Sequence, residues 1–323
     1  MFRSLSRPRL RPASSANPYL TGVLLCAGGT ALYSVNDMAI KHLSEGYALH
    51  QLILLRALIA MSILLPLIAR SRAGFAQLRT RRPLAHLIRV VVVLTSNSAF
   101  YLGLAAMPMA DAAAVSYTSP LFVTALSVLA LQEKAGPRRW MAVGLGLLGT
   151  LLILRPGSGV IQGAAILVLL SSVLYASSNL MARSMRDTES SMCCSFYVMC
   201  GFILLSLLMG LCFGSGHMAG GDGVFQFLFR PWIWPSPDDL PWLILTGASV
   251  AVGGLMVTQA YRTTEAAMIA PFEYVGMPMA ILWGLLIFGT WPDLITLAGI
   301  ALICGAGIYV VWREAALARR SKA

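Results

Sequence analysis

The chain has 323 residues, 58% of them hydrophobic and only 11% charged, with a mean hydropathy of +0.75. A water-facing surface needs about a quarter charged residues, so a soluble globular domain is excluded and lipid is the expected solvent. The net charge of +11 matches nucleic acid in sign, but the basic residues are placed as a membrane protein places them, and no nucleic-acid partner is expected.

Residues 1–17 are basic and Pro/Ser-rich and read as a disordered cytoplasmic tail. The apolar run that follows is too long for a signal peptide, and no Ala-x-Ala site closes it. A helix needs about 20 apolar residues to cross the hydrocarbon core. The sequence predicts ten such spans, near 18–40, 49–69, 84–106, 110–131, 138–154, 161–182, 192–213, 240–261, 265–288 and 294–312, with a second tail at 314–323. Alternating ten-residue strands are absent, which argues against a barrel. The segment 214–239 is Gly-rich and then aromatic (Phe225, Phe227, Phe229, Trp232, Trp234) and reads as a short interfacial helix, with a substrate lid as the alternative.

The Lys and Arg residues set the orientation. With the N-terminus inside, 19 of them fall on the inner side, from Arg3 through the clusters at 70–82, 134–139 and 183–186 to Arg262 and the C-terminal tail. The outer side holds only Lys41, Arg155 and Arg230. This bias predicts both termini in the cytoplasm.

The chain also repeats itself. Residues 31–41, ALYSVNDMAIK, match residues 173–183, VLYASSNLMAR, aligning Tyr33 with Tyr175, Asp37 with Asn179 and Lys41 with Arg183. Tyr117 aligns with Tyr274, and Gly144 with Gly299. Five spans per repeat is an odd number, so the second repeat (161–313) enters the membrane opposite to the first (18–155). Inverted repeats of this kind bind substrate near the midplane between halves. The fold expected is therefore an all-α integral membrane protein of two inverted five-helix repeats.

Ionisable residues within a span cost about 2.5–3.5 kcal/mol each and need a partner, water or a function. Asp37 shares a helix face with Cys26, Gly29, Thr30 and Tyr33, and Arg56 lies at similar depth on the next span, so the two are expected to pair directly. Arg89 is expected to snorkel to the headgroups. Glu273, between Pro271 and Tyr274 and ahead of Pro278, is the sharpest candidate, because proline loosens the helix beside it. Asn97 and Tyr101 share a face of the third span, and Tyr117, Tyr175 and Asn179 extend the polar set. The candidate substrate-binding residues are thus Tyr33, Asp37, Arg56, Asn97, Tyr101, Tyr117, Tyr175, Asn179, Glu273 and Tyr274, with Pro120, Pro271 and Pro278 as hinges. The fifth and tenth spans, nearly pure Gly/Ala/Leu/Ile, read as peripheral packing or a dimer contact.

No catalytic or metal spacing is evident. The six cysteines form no Cys-x-x-Cys pair, the four histidines fit no nucleophile–base arrangement, and no phosphate loop is present. A membrane enzyme or a channel is a remote alternative, and no cofactor is expected.

Two stretches carry a family resemblance. Ala110-Asp-Ala-Ala-Ala-Val-Ser-Tyr-Thr-Ser-Pro120-Leu-Phe runs on to Gln132-Glu133-Lys134, and Ala270-Pro-Phe-Glu-Tyr274 runs on to Phe288-Gly289. With ten spans in an inverted repeat, they resemble the drug/metabolite transporter superfamily of bacteria, EamA-domain type, over residues 20–312. Thr290 stands where the family often has an acidic residue. The resemblance implies alternating access to a central cavity lined by spans 1, 3, 4, 6, 8 and 9, in the inner membrane, as a monomer or weak dimer. It also implies cargo among amino acids, toxic metabolites, riboflavin, nucleotide-like cofactors or sugars. The mix of acid, base and tyrosine suits a zwitterion, so amino-acid export is the leading expectation. Uptake of an aromatic cofactor or nucleoside-like compound (riboflavin, S-adenosylmethionine) is the rival. Proton coupling through Glu273 or Asp37 and facilitated diffusion are both open.

Overall fold

A computed structural model describes residues 18–131, 137–154, 161–217 and 226–320. The expected N-terminal tail, Glu133, Lys134, Arg155 and Phe225 fall outside these residues. The described residues are helical, with no strand among them. In chain order the helices are α1 (Pro18–Leu43), α2 (Leu49–Arg70), α3 (Pro83–Ala106), α4 (Met109–Ser116), α5 (Ser119–Leu131), α6 (Pro137–Leu154) and α7 (Ile161–Ser184). They continue with α8 (Ser191–Phe213), α9 (Gln226–Phe229), α10 (Leu240–Thr263), α11 (Ala266–Ile269), α12 (Gly276–Phe288) and α13 (Leu294–Arg320).

Among the described residues, seven helices are long and apolar enough to cross a membrane, and three shorter apolar helices lie at 144–153, 272–288 and 294–306. Each apolar run read from the sequence is helical. Two are broken. Between α4 and α5 the chain turns at Tyr117 and Thr118, where the Thr118 hydroxyl bonds back to the Val115 carbonyl at 2.7 Å. Between α11 and α12 it tightens into a 3₁₀ segment, Ala270–Val275. The three prolines expected as hinges lie at or beside these breaks: Pro120 is the second residue of α5, Pro271 lies in the 3₁₀ segment and Pro278 lies in the first turn of α12. Proline is tolerated there because its missing N–H has no partner in a first turn. At the C-terminal end α13 stays helical to Arg320, past the expected boundary at 313.

The principal packing pairs are α1 with α10, α3 with α7, α2 with α8 and α6 with α13. Small residues let these backbones approach, since lipid offers no hydrophobic drive to associate. On the α1–α10 crossing, a Cβ on Gly29 would lie 3.0 Å from the Gly253 carbonyl oxygen, and one on Gly253 3.0 Å from that of Gly29. On the α6–α13 crossing the same construction joins Gly149 and Gly299 at 2.7 Å each way. Gly299 thus meets Gly149, and not Gly144, the position it matches in the repeat alignment. The two helices expected to be peripheral pack on one another.

Among the described residues of the 214–239 segment, helix is limited to the single turn α9 and a 3₁₀ turn at Pro237–Asp239, joined by irregular chain. That chain is fastened to the α1–α2 turn. Arg230 donates to the Ser44 carbonyl at 2.7 Å, Tyr47 donates to Asp239 at 2.5 Å, and Gln51 bonds both the N–H and the carbonyl of Ile233. Trp232 packs on His50, with ring centroids 5.6 Å apart, while Trp234 is 95% exposed.

Candidate functional site

The broken helices and α1, α2, α3, α7, α8 and α10 enclose a cavity of about 190 Å³. Nine of the ten residues singled out from the sequence line it: Tyr33, Asp37, Arg56, Asn97, Tyr101, Tyr117, Tyr175, Asn179 and Glu273. Tyr274 does not. It is buried behind Tyr117, ring centroids 6.4 Å apart, and its hydroxyl has no hydrogen-bond partner among the described residues. The 3₁₀ turn rotates consecutive side chains by about 120°, so Glu273 and Tyr274 point to different neighbours.

One polar cluster is built by α1, α2 and α3. Asn97 and Tyr101, one helical turn apart, present their side chains together to Arg56. Arg56 donates to the Tyr101 hydroxyl at 2.9 Å and to Asn97 Oδ1 at 3.1 Å. Its guanidinium stacks on the rings of Tyr101 and Phe202, 5.2 and 5.1 Å from their centroids. The Tyr101 hydroxyl in turn donates to Asp37 Oδ1 at 3.1 Å. Asn36 donates to the same hydroxyl at 2.7 Å and to Asp37 at 3.0 Å. The direct Asp37–Arg56 pair expected from depth is thus corrected to a bridged one, with the phenol between the charges. Depth on two neighbouring helices fixes height but not azimuth, and the third helix fills the gap.

A second cluster surrounds Glu273. Tyr261 donates to Oε1 at 2.7 Å, Tyr175 to Oε1 at 3.3 Å and Ser119 to Oε2 at 3.3 Å. Glu273 and Tyr261 are both essentially buried, at 2% and 0% exposure. The 3₁₀ segment carries Glu273 to α10, α7 and the start of α5 at once, which a straight helix would not do.

Arg89 is a further correction. It does not snorkel; it is buried, lines the cavity and donates to the carbonyls of Ser178 at 3.3 Å and Cys194 at 3.2 Å. Carbonyls of α7 and α8 supply the solvation that headgroups would otherwise give. Sequence reasoning also passed over Asn36 and Tyr261. Asn36 sits beside Asp37 and was legible as a polar residue within a span; Tyr261 gave no signal, because its partner lies across the α10–α11 turn. Phe100, Phe202 and Thr258 complete the wall. Three polar atoms of cavity residues have no hydrogen-bond partner among the described residues: Thr30 Oγ1, Asn36 Oδ1 and Asn179 Nδ2.

The arrangement is an aromatic and amide-rich chamber whose charges are already engaged.

The EamA-like transporter family matches residues 20–155. A riboflavin transporter of Rhizobium johnstonii is 33% identical over 243 residues, covering 75% of this chain and 75% of that protein. A riboflavin transporter of Vibrio cholerae is 27% identical over 311 residues, covering 95% and 97%. An S-adenosylmethionine uptake transporter of Rickettsia prowazekii is 23% identical over 296 residues, covering 92% and 94%. A solved crystal structure at TM-score 0.67 and 18% identity, covering 90% of this chain and 97% of that one, shares the fold.

Proposed function

The chain belongs to the EamA-like transporter family of the drug/metabolite transporter superfamily and is a multi-pass carrier of small molecules; from that premise we propose that its cargo is a neutral, planar heteroaromatic metabolite of the flavin class. The observation that carries this reading is the engagement of the charges. A zwitterion needs a cation and an anion free to receive it. Here Arg56 is hydrogen-bonded and stacked, Arg89 is held by two carbonyls, and Asp37 and Glu273 each already accept hydrogen bonds. What remains for a ligand is aromatic faces (Tyr33, Tyr117, Tyr175, Phe100) and, once the bundle opens, the amides of Asn36 and Asn179, which are buried here. Stacking and amide hydrogen bonding suit a heteroaromatic ring with imide and carbonyl edges. This replaces amino-acid export as the leading reading, and the riboflavin transporters among the relatives support it.

At about 190 Å³ the cavity is smaller than the ~300–1,000 Å³ usual for small-molecule sites. A flavin therefore requires the bundle to open, in line with alternating access between two halves. Three features support ten spans in two inverted five-helix repeats. The α1–α10 and α3–α7 pairs exchange under a five-span shift, while α2–α8 and α6–α13 map onto themselves. The breaks at Tyr117 and in 270–275 fall at aligned positions. Lys41 donates to the carbonyl of Met107, just past α3, at 2.8 Å, and its aligned residue Arg183 donates to that of Thr264, just past α10. The Lys/Arg bias supports both termini in the cytoplasm, and an all-helical span set of a bacterial transporter family is consistent with the inner membrane.

The test is flux into proteoliposomes. Riboflavin should accumulate saturably and be competed by other flavins. Flux of any of the twenty amino acids without flavin flux would restore the zwitterion reading. Repeating the assay with and without a pH gradient separates proton coupling through Glu273 or Asp37 from facilitated diffusion.

A further inference from the structure

Away from the cavity, three side chains with metal-binding atoms converge: His86 in the first turn of α3, Glu189 just before α8, and Cys193 in the first turn of α8. All three are buried. His86 Nε2 lies 3.5 Å from Glu189 Oε2, Cys193 Sγ 3.4 Å from the same oxygen, and Cys193 Sγ 3.9 Å from His86 Nε2.

We propose that His86, Glu189 and Cys193 form a binding site for a zinc-like divalent cation. The dimensions fit. The point equidistant from the three donor atoms is about 2.1 Å from each, against usual bonds of about 2.0–2.1 Å to nitrogen, 2.0–2.2 Å to oxygen and 2.3 Å to sulfur. An ion at or slightly above that plane makes three bonds of ordinary length. The donor set of thiolate, imidazole and carboxylate suits zinc more than calcium or magnesium, which take oxygen alone.

The supports around the donors are those of a held site. Glu189 Oε1 accepts from the Thr80 hydroxyl at 2.9 Å and the Arg81 N–H at 3.0 Å, which turns Oε2 toward the other two donors. The His86 ring is fixed against Tyr197, centroids 4.4 Å apart. Ser190 caps α8 by accepting from the Cys193 N–H at 3.0 Å, so Cys193 cannot drift. On binding, the ion replaces the thiol proton and any proton on His86 Nε2; the first leaves to solvent, the second leaves to solvent or passes to Nδ1, and the ring coordinates through Nε2. The ligands lie on the α2–α3 side and on the α7–α8 side of the molecule, so an ion here joins the two.

No spacing in the sequence marks this site, since His86 and Cys193 are 107 residues apart. The test uses the full chain in detergent, carrying an affinity tag free of histidine and stripped with a chelator. Titration with Co²⁺ should produce a near-ultraviolet thiolate-to-cobalt charge-transfer band that Zn²⁺ displaces, with one zinc bound per chain. Cys193→Ser should abolish the band and the bound zinc, Glu189→Gln should weaken Zn²⁺ binding at least tenfold, and Cys212→Ser, at an exposed thiol, should change nothing. Absence of the band in the unaltered protein overturns the proposal without reference to any variant. So does a band that survives Cys193→Ser.

Discussion

The two buried carboxylates of the cavity solve the same problem differently. Asp37 is compensated: a cation lies one phenol away, and every member of its network comes from α1, α2 or α3. Glu273 has no cation among the described residues in its hydrogen-bonded shell. Three hydroxyls hold it, contributed by α5, α7 and α10. A compensated charge keeps its network closed and rigid, because opening it strands both charges. A carboxylate held by neutral hydroxyls can take a proton, or exchange one hydroxyl for another as the bundle rearranges, without stranding a partner charge. The first cluster is thus a strut of the bundle, and the second is the part of the cavity free to change.

The comparison breaks first at Arg56. Arg56→Ala leaves Asp37 uncompensated in a buried network and should cost about 3 kcal/mol, read by thermal unfolding in detergent. An unfolding midpoint unchanged from the unaltered protein would show that Asp37 needs no cation. Glu273→Gln should show the opposite pattern: transport down by about tenfold or more, the scale of a lost charge-assisted hydrogen bond, with the folded yield kept. Transport at the normal rate would make Glu273 a structural residue. Tyr101→Phe and Tyr261→Phe remove one hydroxyl from each cluster at about 1 kcal/mol apiece. In a double-mutant cycle Tyr101 should couple to Arg56, and Tyr261 to Glu273, while Tyr101 with Tyr261 should add within about 0.5 kcal/mol. The smallest effect sharpens the assignment of the 230–239 segment: Trp234→Ser, at an exposed ring, should leave both stability and flux within error.

Much of the architecture is legible in the amino-acid sequence. Apolar runs name the helices, because lipid forces backbone hydrogen bonds inside each segment. Tyr33 and Tyr175, and Asp37 and Asn179, align in the repeat and do meet in one chamber. What the sequence hides depends on azimuth and on non-local partners. Arg89 reads as a headgroup anchor because hydropathy reports its depth and not the Ser178 and Cys194 carbonyls beside it. Tyr274 aligns with Tyr117 yet points elsewhere, since one break is a turn and the other a 3₁₀ segment. Asp37 and Arg56 are located in height by their spans, and the phenol that separates them comes from a helix that pairwise reasoning leaves out.

The crossing of α6 and α13 has a consequence for how the bundle can move. At Gly149 and Gly299 each backbone occupies the room a methyl group would need on the other. Ile153 packs over Gly299, and Leu302 and Ile303 pack over Gly149, so the crossing is filled from both sides and the separation cannot shrink. The two helices, one from the middle of the chain and one from its C-terminal end, are thereby tied to one another, and a displacement of either is expected to carry the other with it.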